Sequence, residues 1–240
     1  MILIKKFAAP IELNELKQQA EAANLSDSEG YDTLRNPLKN EVRNLLMQEQ
    51  GHLCAYCMRR IPDERISKDN PNIKDTYIEH WQARSFQHNP SDNKGLDYNN
   101  MLVVCSGNET VTMSSGKRKR RYLTCDRRRG DRALKINPLD EDTLNTIYYE
   151  SDGTVRSTDK DIEADISDKL NLNCNAEAVT LPQNRKAVLD AIQKDLAEKD
   201  GDFVKNCREQ LAIWENETDY KTPYIGIAIW WLRKQINSDD

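Results

Sequence analysis

Four cysteines constrain the fold of this chain more than any other feature, and they are Cys54, Cys57, Cys105 and Cys125. Two residues separate the first pair, a spacing with which one tight turn presents two thiolates to the same tetrahedral ion. The second pair flanks a polar insertion of 19 residues. Because we expect a reducing compartment, three disulfides among the six cysteines are disfavoured. The sequence therefore predicts one structural zinc site with four cysteine ligands.

Other interpretations of the cysteines stay open. The CAYC sequence is also compatible with a redox pair, but such a pair is expected at the start of a helix in a thioredoxin-like fold. The residues after Cys57, MRRIPDER, do not have a helical pattern. All four cysteines could instead be buried thiols. Cys174 and Cys207 lie in helical, otherwise unremarkable sequence, and we expect them to be buried without binding metal.

Composition favours a soluble protein with a polar surface. The 240 residues are 31% charged and 38% hydrophobic. No apolar run approaches the ~18 residues of a membrane-spanning helix, so we expect no membrane association. The first residues, MILIKKFAAPIEL, lack the order of a secretory signal, and a cytoplasmic location is expected.

Charge is distributed unevenly along the chain, whose net charge is −5. Residues 117–132 contain nine Lys/Arg and two acidic residues, a local net charge of +7. Residues 138–240 contain twelve Lys/Arg and 22 acidic residues, a local net charge of −10. A basic patch on an acidic protein indicates one surface for a polyanion. The alternative is a solvated loop followed by an ordinary charged helix. The predicted DNA-binding residues are Lys117, Arg118, Lys119, Arg120, Arg121, Arg127, Arg128 and Arg129.

The apolar pattern predicts an α+β chain that is mainly helical. We predict a strand directly after the cysteine turn, strands over 77–81 and 101–104, a hairpin over 147–155, and a helix from Asp126 to about Lys135. Residues 24–30, NLSDSEG, are predicted as turns. We divide the chain into an N-terminal helical segment that packs on the core (1–50), a zinc-containing core (51–139) and a mainly helical C-terminal domain (140–240).

An acid–histidine pair lies between the two cysteine pairs. Hydrolysis of a phosphodiester at neutral pH needs a general base whose pKa is about 7, and His80 is the natural choice because of its residue type. Glu79 precedes it on a predicted strand, so the two side chains point to opposite faces. Asp126 follows the last cysteine and offers a second oxygen ligand for Mg²⁺ or Mn²⁺. The alternative is a surface pair without function, and His52 and His88 receive no role.

Taken in order, CAYC, IEHW, NNMLVVC and CDRRRGD resemble the HNH endonucleases of the ββα-metal fold. The resemblance implies that His80 is the general base, that Glu79 and Asp126 bind catalytic Mg²⁺ or Mn²⁺, and that Asn100 braces the catalytic loop. It also implies a zinc-stabilised ββα-metal core with N-terminal helices and an α-helical C-terminal region. The chain departs from the usual HNH pattern in three ways. Glu79 replaces the commoner aspartate, Asp126 replaces the commoner His or Asn, and the insertion 106–124 separates a cysteine pair that is usually compact.

Beyond this core the chain is similar to PtuB-type HNH proteins, found with Septu antiphage systems and with certain retrons. This resemblance implies an antiviral DNA endonuclease that acts with an ABC/SMC-like ATPase of the PtuA type, and with retron components in retron-associated systems. Two alternatives stay open: a zinc-stabilised DNA-binding or adaptor subunit without catalysis, and an interaction subunit whose effector is the ATPase. The similarity is carried by EVRNLLMQEQGHLCAYCMRRI (41–61), INPL (136–139), DGTVRS (152–157), LNLN (170–173), NR (184–185) and PYIGIAIWWL (223–232).

Overall fold

The computed structural model describes residues 1–62, 76–85, 92–109, 120–176 and 179–238. Within these ranges the chain is α+β, as predicted, with helices packed around three small pairs of antiparallel strands. None of the described helices is long and apolar enough to cross a membrane.

Three helices form the N-terminal part: α1 (Ile11–Ala22), α2 (Asp27–Thr33) and α3 (Leu38–Glu49). Within the predicted turns over 24–30, residues 27–30 are helical instead, because a capping box begins α2. In that box the Ser26 hydroxyl accepts from the Glu29 amide, and the Glu29 carboxylate accepts from the Ser26 amide. α3 buries Val42, Leu46 and Met47 on one face, as its helical spacing predicts.

The central part contains two antiparallel strands followed by a short helix. Strand β1 (Thr76–His80) pairs with β2 (Met101–Cys105), so that His80 lies opposite Met101. Every residue of β2 is buried, as expected for a continuous apolar run. Helix α4 (Cys125–Arg129) packs against β2 and brings the fourth cysteine to the end of that strand.

Two predicted elements of this part are corrected. The helix predicted to reach Lys135 ends at Arg129, because Gly130 adopts a left-handed φ of 59° and turns the chain away. The strand predicted after the cysteine turn is reduced to one bridge between Leu53 and Arg60. Met58, at φ 59°, folds this segment back before a strand can develop.

The C-terminal part is mainly helical, as predicted, and carries small hairpins. Its first hairpin confirms the prediction over 147–155, and a π-helical turn over Asp165–Lys169 extends the helix that follows it. The elements are α5 (Glu141–Asn145), β3 (Ile147–Tyr149), β4 (Val155–Ser157), α6 (Lys160–Ala164), β5 (Asn175–Ala176), β6 (Val179–Thr180), α7 (Leu181–Ala197), α8 (Phe203–Glu215) and α9 (Gly226–Asn237).

One buried apolar cluster connects all three parts of the chain. It includes Leu13 from α1, Cys54 from the cysteine turn, Ile136 after α4 and Leu232 from α9. The three-part division therefore stays a prediction about sequence organisation, and the described residues share a continuous core.

Candidate functional site

The four predicted zinc ligands lie together and are all buried. Sγ–Sγ distances are 3.8 Å for Cys54–Cys125, for Cys57–Cys105 and for Cys105–Cys125. Four sulfurs that bind zinc tetrahedrally at about 2.3 Å stand about 3.8 Å apart. The cluster is therefore arranged to hold a metal ion and is compatible with structural zinc.

Tight hydrogen bonding shapes the turn that carries Cys54 and Cys57. The Cys54 amide donates to the Arg59 carbonyl at 2.9 Å, and its own carbonyl accepts from the Met58 amide at 2.9 Å. The Ala55 amide donates to the Val103 carbonyl at 3.2 Å and so ties the turn to β2. This bonding fixes the first two sulfurs beside the end of the strand that carries Cys105.

The insertion between Cys105 and Cys125 is closed by hydrogen bonds between its two ends. The Thr124 amide donates to the Gly107 carbonyl at 3.0 Å. Gly107 has a φ of 57°, and a Cβ there would lie 2.3 Å from the Thr124 carbonyl oxygen, so only glycine fits. The Cys125 amide donates to the Leu170 carbonyl at 2.8 Å. The insertion therefore leaves and returns at one place, and the second pair of sulfurs stays together.

The thiols of the cluster differ in their acidity. Hydrogen bonds from the neighbouring thiols lower the pKa of Cys57, whereas burial raises the pKa of Cys54. Zinc binds cysteine as the thiolate, so a bound Zn²⁺ would hold these sulfurs in their ionised form.

His80 is held at the end of β1 by a backbone acceptor. Its Nε2 lies 3.0 Å from the Gly95 carbonyl oxygen. Since a carbonyl only accepts, we assign the proton to Nε2, which leaves Nδ1 unprotonated in the neutral ring. Burial, together with the positive charges of Arg84 and Lys39, lowers the pKa of His80 to about 3. The ring is therefore neutral at pH 7.

Helix α2 fixes the carbonyl that holds His80. The Lys94 amide donates to the Asp27 carboxylate at 2.8 Å, and the Asn93 side chain donates to the Leu25 carbonyl at 3.1 Å. A Cβ at Gly95 would lie 1.9 Å from the Asp27 carbonyl oxygen, so this close approach requires glycine. The N-terminal helices thus determine where the imidazole points.

Asn100 connects the segments on either side of His80. Its Oδ1 accepts from the Gln82 amide at 2.7 Å, and its Nδ2 donates to the carbonyls of Gln82 and Lys94 at 3.0 Å each. The Asn100 carbonyl accepts from the Trp81 amide at 2.9 Å. This geometry is that of a brace, since Asn100 bonds the backbone around the histidine and not its ring.

Glu79 and Asp126 form a carboxyl pair. Burial raises the pKa of Glu79, the neighbouring charge of Asp126 raises it further, and Arg129 opposes both effects. Tyr56 donates to Glu79 Oε1 at 3.2 Å, and Arg129 forms an ion pair with the same oxygen. Carboxyl oxygens are donors of the kind that Mg²⁺ or Mn²⁺ binds.

Arg129 does not lie on the predicted basic surface. It is 2% exposed and donates to Glu79 and to the His80 carbonyl, the latter at 3.0 Å. The predicted DNA contact of Arg129 is therefore corrected, because a buried guanidinium that neutralises Glu79 does not reach a docked phosphate.

The remaining basic residues have different surroundings. Arg127 pairs with Glu109 at 2.7 Å and lies 4.5 Å from the Tyr77 ring centroid. Arg128 pairs with Asp168 at 3.4 Å, and Arg121 is exposed, with its guanidinium over the Tyr122 ring. The residues outside the described part of the chain are Lys117, Arg118 and Lys119, together with the side chain of Arg120.

The other cysteines and histidines lie apart from both clusters. Cys174 and Cys207 are buried outside the cysteine cluster, as predicted. His52 stacks on Tyr220 with ring centroids 3.9 Å apart, and His88 lies outside the described residues.

Sequence reasoning missed several residues that surround His80: Tyr31, Arg84 and Gly95. The Tyr31 ring meets the His80 ring edge-on, with centroids 4.7 Å apart. The sequence does contain a signal for the helix that carries Tyr31, since Ser26-x-x-Glu29 is a capping-box pattern. No local pattern indicates that this helix packs on His80.

The two clusters meet on α4, where Cys125 joins the sulfurs and Asp126 joins Glu79. No protein-family model matches the chain, and no curated protein matches it either. The geometry of the clusters and the motifs that resemble HNH endonucleases are therefore the features that bear on function.

Proposed function

We propose that this protein is an HNH-type endonuclease that hydrolyses DNA phosphodiester bonds with the help of a divalent metal ion. The observation that carries the proposal is a neutral His80 with its Nε2 anchored to the Gly95 carbonyl, next in sequence to the Glu79 carboxyl that pairs with Asp126. Two antiparallel strands and a short helix at a cysteine cluster also agree with the ββα-metal core that the motif resemblance implies.

His80 acts as the general base in this proposal. Its unprotonated Nδ1 accepts a proton from the attacking water, while the Nε2 proton stays bonded to the Gly95 carbonyl. That carbonyl orients the ring and stabilises the positive charge that protonation creates. Asn100 supports the step indirectly, because it fixes the backbone of Gln82 and Lys94 around the ring.

Glu79 and Asp126 would hold the catalytic ion. When bound, Mg²⁺ or Mn²⁺ stabilises the negative charge that develops on the phosphate and the leaving oxygen. Tyr56 and Arg129 orient the Glu79 carboxylate, and the positive charge of Arg129 reduces the repulsion between the two acids. Arg129 is thus a positioning residue.

The substrate and the partner extend the same proposal. Arg121 and the basic residues 117–120 would contact DNA phosphates, and the local net charge of +7 over 117–132 supports this. We further propose an antiphage role together with an ABC/SMC-like ATPase of the PtuA type. That part depends on the resemblance of sequence motifs alone.

A second candidate is a zinc-stabilised DNA-binding or adaptor subunit without catalysis. Burial favours it, since His80 is 5% and Glu79 is 8% exposed. A histidine with a pKa of about 3 is also a weak general base at pH 7. Under this candidate the histidine and the carboxylates only stabilise the fold.

Plasmid cleavage separates the two candidates. Purified protein, alone and with its ATPase partner, is incubated with supercoiled DNA with and without Mg²⁺ or Mn²⁺. We expect cleavage that His80→Ala lowers by about 10²–10⁴-fold, the contribution typical of a general base. Zinc content and DNA affinity should remain near those of the wild type.

The matched control is His52→Asn, a second buried histidine away from the carboxyl pair. Asparagine tolerates the left-handed φ of 57° at this position. This variant should cleave at the wild-type rate. Cleavage by His80→Ala at the wild-type rate, or no metal-dependent cleavage by the wild-type protein under any of these conditions, would establish the adaptor candidate instead.

A further inference from the structure

Arg185 is a buried arginine whose hydrogen-bond acceptors are all neutral. The residue is 2% exposed, and its guanidinium donates to the carbonyls of Gly153 at 2.6 Å and Leu172 at 3.0 Å and to the Asn173 side chain at 3.0 Å. In the part of the chain that the structure describes, Arg185 forms no ion pair with a carboxylate. A buried charge is strongly unfavourable without an opposite charge nearby, so Arg185 needs a counter-ion.

Arg59 is a second arginine without a carboxylate partner among the described residues, and it lies beside the cysteine turn. It follows Cys57 by two residues, is half-buried, and accepts from the Cys54 amide through its own carbonyl. Its guanidinium donates to the Asn108 side chain at 2.9 Å, and Asn108 follows Cys105 by three residues. The Arg59 side chain therefore extends from the turn of the first cysteine pair to the segment that follows the third cysteine.

Tyr224 connects Arg185 to the same cysteine turn. The Tyr224 amide donates to the carbonyl of Met58, the residue after Cys57, at 2.9 Å. The Tyr224 hydroxyl accepts from the side chain of Asn184, the neighbour of Arg185, at 3.2 Å. The start of α7, which carries Arg185, is thereby held against the turn that presents the first two sulfurs.

The negative charge of the cluster acts on both arginines. Burial lowers the pKa of Arg59, but negative charges, those of Cys57 and Cys105 first, raise it above its usual range. Burial also lowers the pKa of Arg185, and Cys57 is among the groups that oppose the decrease. Two tyrosines and Asp152 oppose it too, but tyrosine is neutral at pH 7 and Asp152 is exposed to solvent, which screens its charge. Cys57 is therefore a buried source of negative charge that both guanidiniums share.

We propose that Arg59 and Arg185 are positioning residues of the metal site that neutralise the charge of a zinc–tetrathiolate centre. Zn²⁺ bound by four thiolates retains two negative charges, and two guanidiniums supply two positive ones. The centre provides the counter-ion that each arginine lacks, and the arginines stabilise the ionised sulfurs that zinc requires. The proposal depends on the zinc assignment, which both candidate functions share, and not on DNA cleavage.

The test measures how tightly the full-length protein holds zinc. Zinc-loaded protein is titrated with a chromogenic chelator at neutral pH, and urea titration shows that each variant is folded. Groups that surround the ligands of a metal site typically contribute about 10–100-fold to metal affinity. We expect Arg59→Gln and Arg185→Met each to lower zinc affinity by about that factor, because each removes one positive charge beside the cluster. Arg59→Lys keeps the charge and should hold zinc as tightly as the wild type does.

The matched control is Arg60→Gln, which removes the same charge one position later. Arg60 is also half-buried, and its guanidinium donates to the carbonyls of Gly51 and Lys221, outside the cysteine cluster. The zinc affinity of this variant should equal that of the wild type.

Wild-type zinc affinity in folded Arg59→Gln or Arg185→Met would overturn the role of that arginine. Equal losses in Arg59→Lys and Arg59→Gln would also overturn it, since side-chain shape and not charge would then determine the affinity. If Arg185→Met does not fold, the two Arg59 variants decide.

The outcomes are distinct from those of the nuclease proposal. A protein that needs both arginines to hold zinc but never cleaves DNA would keep this proposal and reject the nuclease. A wild-type protein that binds no zinc would overturn this proposal and leave the cleavage test unaffected.

Discussion

The cysteine cluster and the histidine–carboxyl cluster share α4 but are built in opposite ways. Four identical donors form the first, each 3.8 Å from a neighbour. One tight turn carries Cys54 and Cys57, and a hydrogen bond between Thr124 and Gly107 closes the insertion that separates Cys105 from Cys125. Different residues form the second, and each depends on an outside group: His80 on Gly95, and Glu79 on Arg129. Damage to the first cluster should therefore destroy the fold, whereas damage to the second should alter function first.

The largest effect is expected at the cysteine cluster. Cys54→Ser should lose bound zinc and misfold, because structural zinc contributes about 10–16 kcal/mol of apparent folding free energy. Metal analysis of wild-type protein, purified without added zinc, should give about one Zn per chain. Cys207→Ser is the control, since Cys207 is buried outside the cluster. Metal-free protein with an unchanged melting curve would contradict the zinc assignment.

Arg129 tests how far the second cluster also supports the fold. Arg129→Gln leaves the Glu79 carboxyl buried without its cation, and we expect a loss of about 3–5 kcal/mol in the free energy of unfolding. Urea titration of zinc-loaded protein measures it. In the same helix, Arg127→Gln removes a partly exposed ion pair with Glu109 and should cost only about 0–1 kcal/mol. Equal losses for the two variants would refute the positioning role of Arg129.

Asp126 tests the proposed ion directly. Asp126→Ala should retain zinc and fold but lose about 10²-fold in cleavage rate, as removal of a ligand weakens the stabilisation that a metal ion provides. Higher Mn²⁺ should restore part of the rate in Asp126→Ala and none in His80→Ala. Asp131→Ala, an exposed acid five residues later, is the control. Wild-type activity in Asp126→Ala at low Mn²⁺ would exclude this ligand.

The smallest effect is expected from the basic segment. Changing Lys117, Arg118, Lys119, Arg120 and Arg121 to alanine should weaken DNA binding similarly for all sequences and make its salt dependence shallower. Fluorescence anisotropy with two unrelated duplexes at several KCl concentrations measures both quantities. An unchanged slope would mean that this segment points away from DNA.

The same contrast explains what the sequence could predict. The Cys54–Cys57 turn follows from local spacing. Short strand-forming runs indicate β1 and β2, whose ends were predicted to within one residue. The surroundings of His80 depend on contacts between distant segments. Tyr31 lies 49 positions before His80, and no periodicity links the two.

Arg129 shows a second limit of sequence reasoning. Within CDRRRGD three consecutive arginines look alike, and a helix of five residues has too few turns to show which one is buried. Only the position of Glu79 on the neighbouring strand selects Arg129. The end of the helix was misplaced because the prediction set its stop at Asn137-Pro138, whereas the turn at Gly130 already ends the helix at Arg129.

The bond from the Cys125 amide to the Leu170 carbonyl has a consequence for the order of events during synthesis. The Asn171 side chain also donates hydrogen bonds to the carbonyls of Arg121 and Leu123, so three hydrogen bonds tie the end of the insertion to the C-terminal part. On a ribosome these bonds can all form only after residue 171 has emerged. The nascent chain therefore carries its fourth cysteine without these bonds for more than forty residues, and a fragment that stops at residue 139 never forms them.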